Sequence, residues 1–268
     1  MPGARVSWLV WGLVLPALLL SACGEDDAPE PEPDPQVVQV KTEPPATEEP
    51  ETGYIAEPKP RRRIALTLPE VGNPLVRVRD GERVDLREEP GGKVLKTIGE
   101  QTEFGSRTAL AVQRTAGPWA GVPTPHFENG RLAWVRLDPR RLKAYTVHYE
   151  VEIDLSEFRT DLLRRGKVIK SFPVSIGMPE APTPTGRFAV TDTFRGDLNP
   201  AYGCCAVALT ARQTHLPSGW LGGDRIAIHG TSGPLGAAIS HGCVRAADAD
   251  VGDLVDRLPP GTPVTIRQ

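Results

Sequence analysis

The sequence predicts a mainly β fold, and three observations predict it. Prolines and glycines number 28 and 27 in 268 residues, a density that suits short strands and turns better than a helical bundle. Between residues 76 and 137, short apolar runs alternate with turn signals at about ten-residue intervals, as in a small barrel. Helical spacing of apolar residues is clear over one stretch, residues 246–258. The length accommodates two domains.

Residues 1–22 read as a secretory signal. Arg5 supplies the positive start, and residues 8–20 form an apolar run too short for a spanning helix to be the first choice. The run ends Leu20-Ser21-Ala22-Cys23, which resembles the lipobox of bacterial lipoproteins. That resemblance implies cleavage before Cys23 and lipidation of its thiol and new amine. Several acyl chains on one residue anchor a protein stably. The next residue is Gly24 rather than Asp, which by the same resemblance favours the outer membrane if the envelope is Gram-negative.

Residues 23–63 read as an acidic, Pro-rich linker. Between 24 and 60 stand eleven acidic residues, two basic ones and nine prolines, with little apolar surface to bury. Such a segment is expected to stay disordered, with a reach on the order of 100 Å. The linker carries net −9 and Arg5 +1, which leaves +5 of the total of −3 for residues 61–268. A mildly basic body suits an anionic wall polymer. It is too weakly basic for nucleic acid, and no nucleic-acid motif is present.

Residues 64–142 read as a β-barrel. Strands are expected at 76–79, 83–87, 93–98, 108–113, 119–122 and 131–136. Asp80-Gly81, Pro90-Gly91-Gly92, Gly117-Pro118 and Asn129-Gly130 provide breaks. Trp119 and Trp134 read as core. A boundary is expected at 139–144, and residues 143–268 form the second domain. Residues 146–155 alternate as a strand, 161–166 turn the chain, and 167–175 return. Thr183-Pro184-Thr185-Gly186-Arg187-Phe188 forces a tight corner, because Pro fixes φ and Gly permits positive φ. Residues 195–223 hold few regular signals and read as a long functional loop, with an apolar strand at 206–209 within it just after Cys204-Cys205. In the helix, Val251, Leu254, Val255 and Leu258 share a face, with Asp248 and Asp250 near its start. Pro259-Pro260-Gly261 ends it, and 262–266 reads as a last strand.

The chemistry concentrates in Ile226–Arg245, IAIHGTSGPLGAAISHGCVR. An apolar run ends at His229-Gly230. Ser240-His241-Gly242-Cys243-Val244-Arg245 follows after a Gly/Ser-rich loop. A thiol nucleophile needs a base and a positive environment that favours the thiolate. It also needs donors aimed at the developing oxyanion, and a glycine lets backbone N–H groups come close. A helix start just after Cys243 is expected to lower its pKa further.

The paired blocks resemble the signature of the YkuD-type L,D-transpeptidase catalytic domain, in which His-Gly precedes [Ser/Thr]-His-Gly-Cys-x-[Arg/Asn] by about a dozen residues. The corner block at 183–188 resembles the family's second recognisable block. The resemblance covers roughly residues 145–268. It implies a mainly β catalytic domain with one or two helices. Cys243 is then the nucleophile toward a tetrapeptide stem of peptidoglycan, and His229 the base and acid. Backbone N–H groups of Gly242 and Cys243 would form the oxyanion hole. His241 would hold the loop, and Ser240 and Arg245 would position the stem. Gly230 offers only backbone, so no side chain is evident as a third member of a triad. Tyr202 or Trp220 would line a flap. The acyl acceptor is another stem or a wall-anchored protein. With water as acceptor, the same site is an L,D-carboxypeptidase, and a wall-binding lipoprotein without activity is the remaining alternative. No metal or organic cofactor is implied. The pattern from Asp85-Leu86-Arg87 to Trp134-Val135 resembles the bacterial SH3-like domain often found ahead of this catalytic domain, so the barrel is expected to be SH3-like.

Export would place Cys204, Cys205 and Cys243 in an oxidising compartment, the cell envelope or periplasm. An odd count leaves at least one thiol free, and a nucleophile must be that one. Adjacent Cys204 and Cys205 either form a vicinal disulfide or stay buried and reduced; the reduced state is the preferred reading.

Overall fold

The computed structural model describes residues 65–220 and 223–268. The signal, Cys23 and the linker lie outside the described residues. The described chain is mainly β, with eighteen strands and one α-helix.

Seven strands build the first part: β1 (Asn73–Val78), β2 (Val84–Arg87), β3 (Val94–Ile98), β4 (Ala109–Ala111), β5 (Arg114–Ala116), β6 (Trp119–Pro123) and β7 (Leu132–Arg136). An eighth, β8 (Leu142–Val147), pairs antiparallel with β1 and closes the order β4-β1-β8. The others form a sheet ordered β3-β2-β7-β6-β5. Alternation puts one face inside: Ala120 stands opposite Val135 and Val122 opposite Ala133, and all four are buried. Leu86 and Leu142 are fully buried in the same cluster. Each such leucine contributes about 1.5–3 kcal/mol by leaving water.

The second part is an eight-stranded sheet, β11-β10-β9-β18-β13-β14-β15-β17. Its strands are β9 (Tyr149–Asp154), β10 (Arg159–Arg164), β11 (Lys167–Pro173), β13 (Gly186–Arg195), β14 (Cys205–Arg212), β15 (Arg225–Thr231), β17 (Val244–Ala247) and β18 (Pro263–Arg267). Short β12 (Ile176–Gly177) and β16 (Ala238–Ser240) pair beside it. Helix α1 (Asp248–Arg257) buries Val251 and Leu254 against the core that holds Ile226, Ile228, Val207 and Val244. Asp248 and Asp250 lie in its first turn and Arg257 in its last, matching the helix dipole.

Two expectations shift. The continuous strand at 146–155 breaks at His148: Val147 packs with Leu75 of β1, while Val151 and Ile153 enter the main core. The chain therefore crosses between sheets at His148, past the boundary expected at 139–144. The turn expected at 161–166 is mostly strand β10. Thr160 through Leu163 are all buried, and the reversal is confined to Arg165-Gly166, both at positive φ. That pair matches a two-residue hairpin turn.

The two parts are joined by specific bonds. Asn129 Nδ2 donates to Arg212 O (2.6 Å) and Asn129 Oδ1 accepts from Arg212 N (2.9 Å). The turn signal Asn129-Gly130 thus also docks the barrel on β14. Thr102, Glu103 and Phe104, between β3 and β4, reach Asp192, Arg225 and Phe194 of the large sheet.

Candidate active site

Register places the chemistry. Ala206 of β14 stands opposite His229 of β15, and His229 opposite Arg245 of parallel β17. Their side chains share one face. Ile228 and Val244, one residue earlier, turn to the core under α1. Cys243, two residues before Arg245, returns to the His229 face. Its sulfur lies 3.9 Å from Arg225 O and beside the Ala227 N–H. Cys243 is thereby held against the strand that carries His229.

His229 is buried (3% exposed), and its Nδ1 is 2.9 Å from Gly230 O. A carbonyl only accepts, so Nδ1 carries the proton and Nε2 keeps a lone pair. The group that orients the imidazole is this backbone oxygen. Glycine is required around it. A Cβ on Gly230 would strike Asp248 Oδ1, and one on Gly203, at φ +63°, would lie 2.5 Å from the Gly230 carbonyl carbon. Tyr202 stands edge-on to the His229 ring, with centroids 5.0 Å apart.

The two titrating groups are pushed toward neutrality. Burial lowers the His229 pKa below 6.5, the Gly230 carbonyl opposes this, and the Arg245 charge adds to it. Burial raises the Cys243 pKa above 9.0, against the Ala227 N–H and the Arg245 charge, which lower it. The helix start expected just after Cys243 comes only at Asp248, so β17 puts roughly 13 Å of strand between the thiol and the first turn of α1. The resting pair is a neutral thiol and a neutral imidazole, with Arg245 as the standing positive charge. Arg245 Nε is buried and has no partner among the described residues.

The loop before Cys243 is fixed from below. Ser240 is 1% exposed; its Oγ donates to Cys243 O (2.6 Å) and accepts from Gly242 N (3.1 Å). Ser240 is closed off and builds the loop. The Gly242 N–H is engaged by Ser240 Oγ, while the Cys243 N–H has no intramolecular acceptor among the described residues. Two further residues complete the support. Gln213 Nε2 donates to Pro182 O and His241 O, each at 3.0 Å. Thr183 Oγ1 donates to Gly242 O and accepts from Gly177 N, both at 2.8 Å. Thr183 belongs to the corner block; Gln213 had no signal in a stretch read as loop. The His241 ring packs on exposed Trp220, centroids 4.9 Å apart.

Gly242 has φ +112°, and a Cβ there would overlap Gln213 Nε2. Gly242→Ala is expected to cost about 2–4 kcal/mol from strain and a displaced Gln213. A thermal midpoint unchanged from wild type would contradict this.

Cys204 and Cys205 are joined as a vicinal disulfide, correcting the preferred reduced reading, and Cys243 is free. Cys205 sits in the core, while Cys204 N donates to Asp248 Oδ1 (3.2 Å) at the start of α1.

The sequence profile of the YkuD L,D-transpeptidase catalytic domain matches residues 148–266. YkuD of Bacillus subtilis (strain 168) is 31% identical over 126 residues, which are 46% of this chain and 69% of that protein. YkuD of Bacillus licheniformis is 29% identical over 123 residues, 45% of this chain and 67% of that protein. Among solved structures, an L,D-transpeptidase from Mycobacterium tuberculosis H37Rv aligns with 51% of this chain and 72% of its own, at 20% identity and a TM-score of 0.38.

Proposed function

Because the chain belongs to the YkuD L,D-transpeptidase family, we propose that it is a peptidoglycan L,D-transpeptidase working through a Cys243 acyl-enzyme. One observation carries the reading: His229, oriented by Gly230 O, and free Cys243 share a sheet face beside Arg245. Nε2 of His229 takes the thiol proton as sulfur attacks the carbonyl carbon of the third residue of a tetrapeptide stem. The C–N bond breaks, and the same proton leaves with the amine of the terminal D-alanine. The Cys243 N–H faces the oxyanion that forms in between. An amine acceptor then attacks the thioester, its proton passes to His229, and the thiolate is released and reprotonated. Arg245 stabilises each thiolate stage, and a neutral resting thiol stays inert until substrate arrives.

The test is intact mass of the purified protein with a tetrapeptide-stem muropeptide, first alone and then with an acceptor stem. An adduct on Cys243 followed by dimer supports transfer. Tripeptide without dimer makes the enzyme an L,D-carboxypeptidase. No adduct and no product from reduced protein rejects the catalytic reading.

The N-terminal part of the proposal is lipid anchoring at Cys23, with residues 23–63 as tether and the first β part, SH3-like, held at the wall. Cys23→Ala is expected to move the exported protein from the membrane fraction to the soluble one. Retention in the membrane fraction would reject the lipobox.

A further inference from the structure

The site described above lies on one face of the large sheet, and that face has a second wall that comes from the barrel. Phe194 of β13 stands opposite Ala206 of β14, which stands opposite His229 of β15. These three side chains form one row on the active face. Neighbouring strands are about 4.8 Å apart, so Phe194 stands roughly 10 Å from His229, with only an alanine between them. On Phe194 sits Phe104, from the segment between β3 and β4, edge to face at 5.3 Å between centroids. Phe104 is a large apolar side chain left 49% exposed. Phe104 and Phe194 thus stand on one side of buried Ala206, and His229 stands on the other.

Phe104 is held there. Its neighbour Glu103 bonds Arg225 Nη1, and the Arg225 guanidinium carbon lies 5.8 Å from the Phe104 ring centroid. Thr102 Oγ1 donates to buried Asp192. Arg225 in turn donates to Thr191 Oγ1 and Leu209 O, while its own carbonyl faces the Cys243 sulfur. Three consecutive barrel residues thus grip the catalytic sheet, and the middle grip is on the residue that contacts the nucleophile's strand position. A spacer domain needs none of these contacts so near the site.

We propose that Phe104 is a specificity-determining contact for the peptide substrate, so that the barrel contributes one wall of the cleft. A peptide approaching Cys243 from this side would lay its methylene and methyl groups against the exposed Phe104 ring. Glu103 is a positioning residue that keeps the segment docked through Arg225. This inference rests on the transpeptidase reading for the identity of the peptide, a wall stem.

The experiment uses the full chain. Dissociation constants for a tetrapeptide-stem muropeptide are measured on Cys243→Ala and on the same chain carrying Phe104→Ala. KM and kcat for D-alanine release, and the rate of Cys243 alkylation by iodoacetamide, are measured on Phe104→Ala and Phe104→Tyr in the otherwise unchanged protein. The dissociation constant and KM are expected to rise roughly tenfold in Phe104→Ala, with alkylation within about twofold of wild type. Phe104→Tyr, which keeps the ring, is expected to restore both. An unchanged dissociation constant overturns the proposal. So does a parallel loss of alkylation and thermal midpoint, which marks Phe104 as a structural brace only. So does failure of the Cys243→Ala chain to bind the muropeptide. If that chain binds through Phe104 while wild type forms no acyl-enzyme, the wall assignment stands and the transpeptidase reading fails.

Discussion

Replacing Cys243 by alanine is expected to abolish the mass adduct and lower turnover by at least about four orders of magnitude, because the covalent intermediate has no other bearer. The other two cysteines among the described residues are tied to each other, so none is left to substitute. Folding is expected to survive. The loop that carries residue 243 is held by Ser240, Thr183 and Gln213 through backbone carbonyls and N–H groups, none of which needs the sulfur. The variant also has a distinct pH signature. Burial raises the Cys243 pKa in the folded chain above its ordinary 9.0. The folded state therefore binds that proton more tightly than the unfolded one. Its stabilising effect is complete below pH 9.0 and is lost as pH rises through the folded value. Wild type should lose thermal midpoint above pH 9 relative to Cys243→Ala. An alanine variant that still forms the adduct, or shows the same alkaline loss, would remove Cys243 from its role.

The residues proposed to do chemistry stand out in the sequence because they are local. His229-Gly230 and Ser240–Arg245 lie within one short stretch, and a parallel strand pair needs only that stretch to bring them together. The groups that make the chemistry possible were hidden because they are remote. Gln213 is a generic side chain that acquires its role only when β14 and the loop at Gly242 meet. Gly230 O is a backbone atom, which no residue type announces. Asn129 was visible as a turn former, yet its bond to Arg212 depends on the barrel's docking. Strand β10 was misread for a physical reason as well. Polar Asp161 inside an apolar run suggests a turn, but Arg159 pairs with that carboxylate and lets it sit in a buried strand. The alternation through 146–155 was real, but it served two different cores on either side of His148.

His229→Ala is expected to lower kcat/KM by roughly three orders of magnitude, the usual worth of a positioned base and acid. The loss should exceed that of any flap residue, because the resting thiol is neutral and His229 is the group placed to receive its proton. The pH dependence separates this from simple misfolding. Burial and the Arg245 charge lower the His229 pKa in the folded chain below 6.5. The base therefore stays unprotonated, and wild-type activity should persist, below the pH at which an ordinary histidine is half protonated. Stability follows the same sign. The neutral-histidine contribution is present above pH 6.5 and is lost as pH falls through the folded value, since the unfolded chain takes up the proton first. In His229→Ala the acid limb of activity should vanish, and the residual rate should climb with pH past 9 as the raised Cys243 thiol ionises unaided. Gly203→Ala, which presses on the Gly230 carbonyl, should give an intermediate profile, since it disturbs the imidazole's anchor and leaves the imidazole in place. A His229→Ala enzyme that keeps the wild-type acid limb would assign the base to another group, and the oriented Nε2 would then be a structural feature of the sheet face.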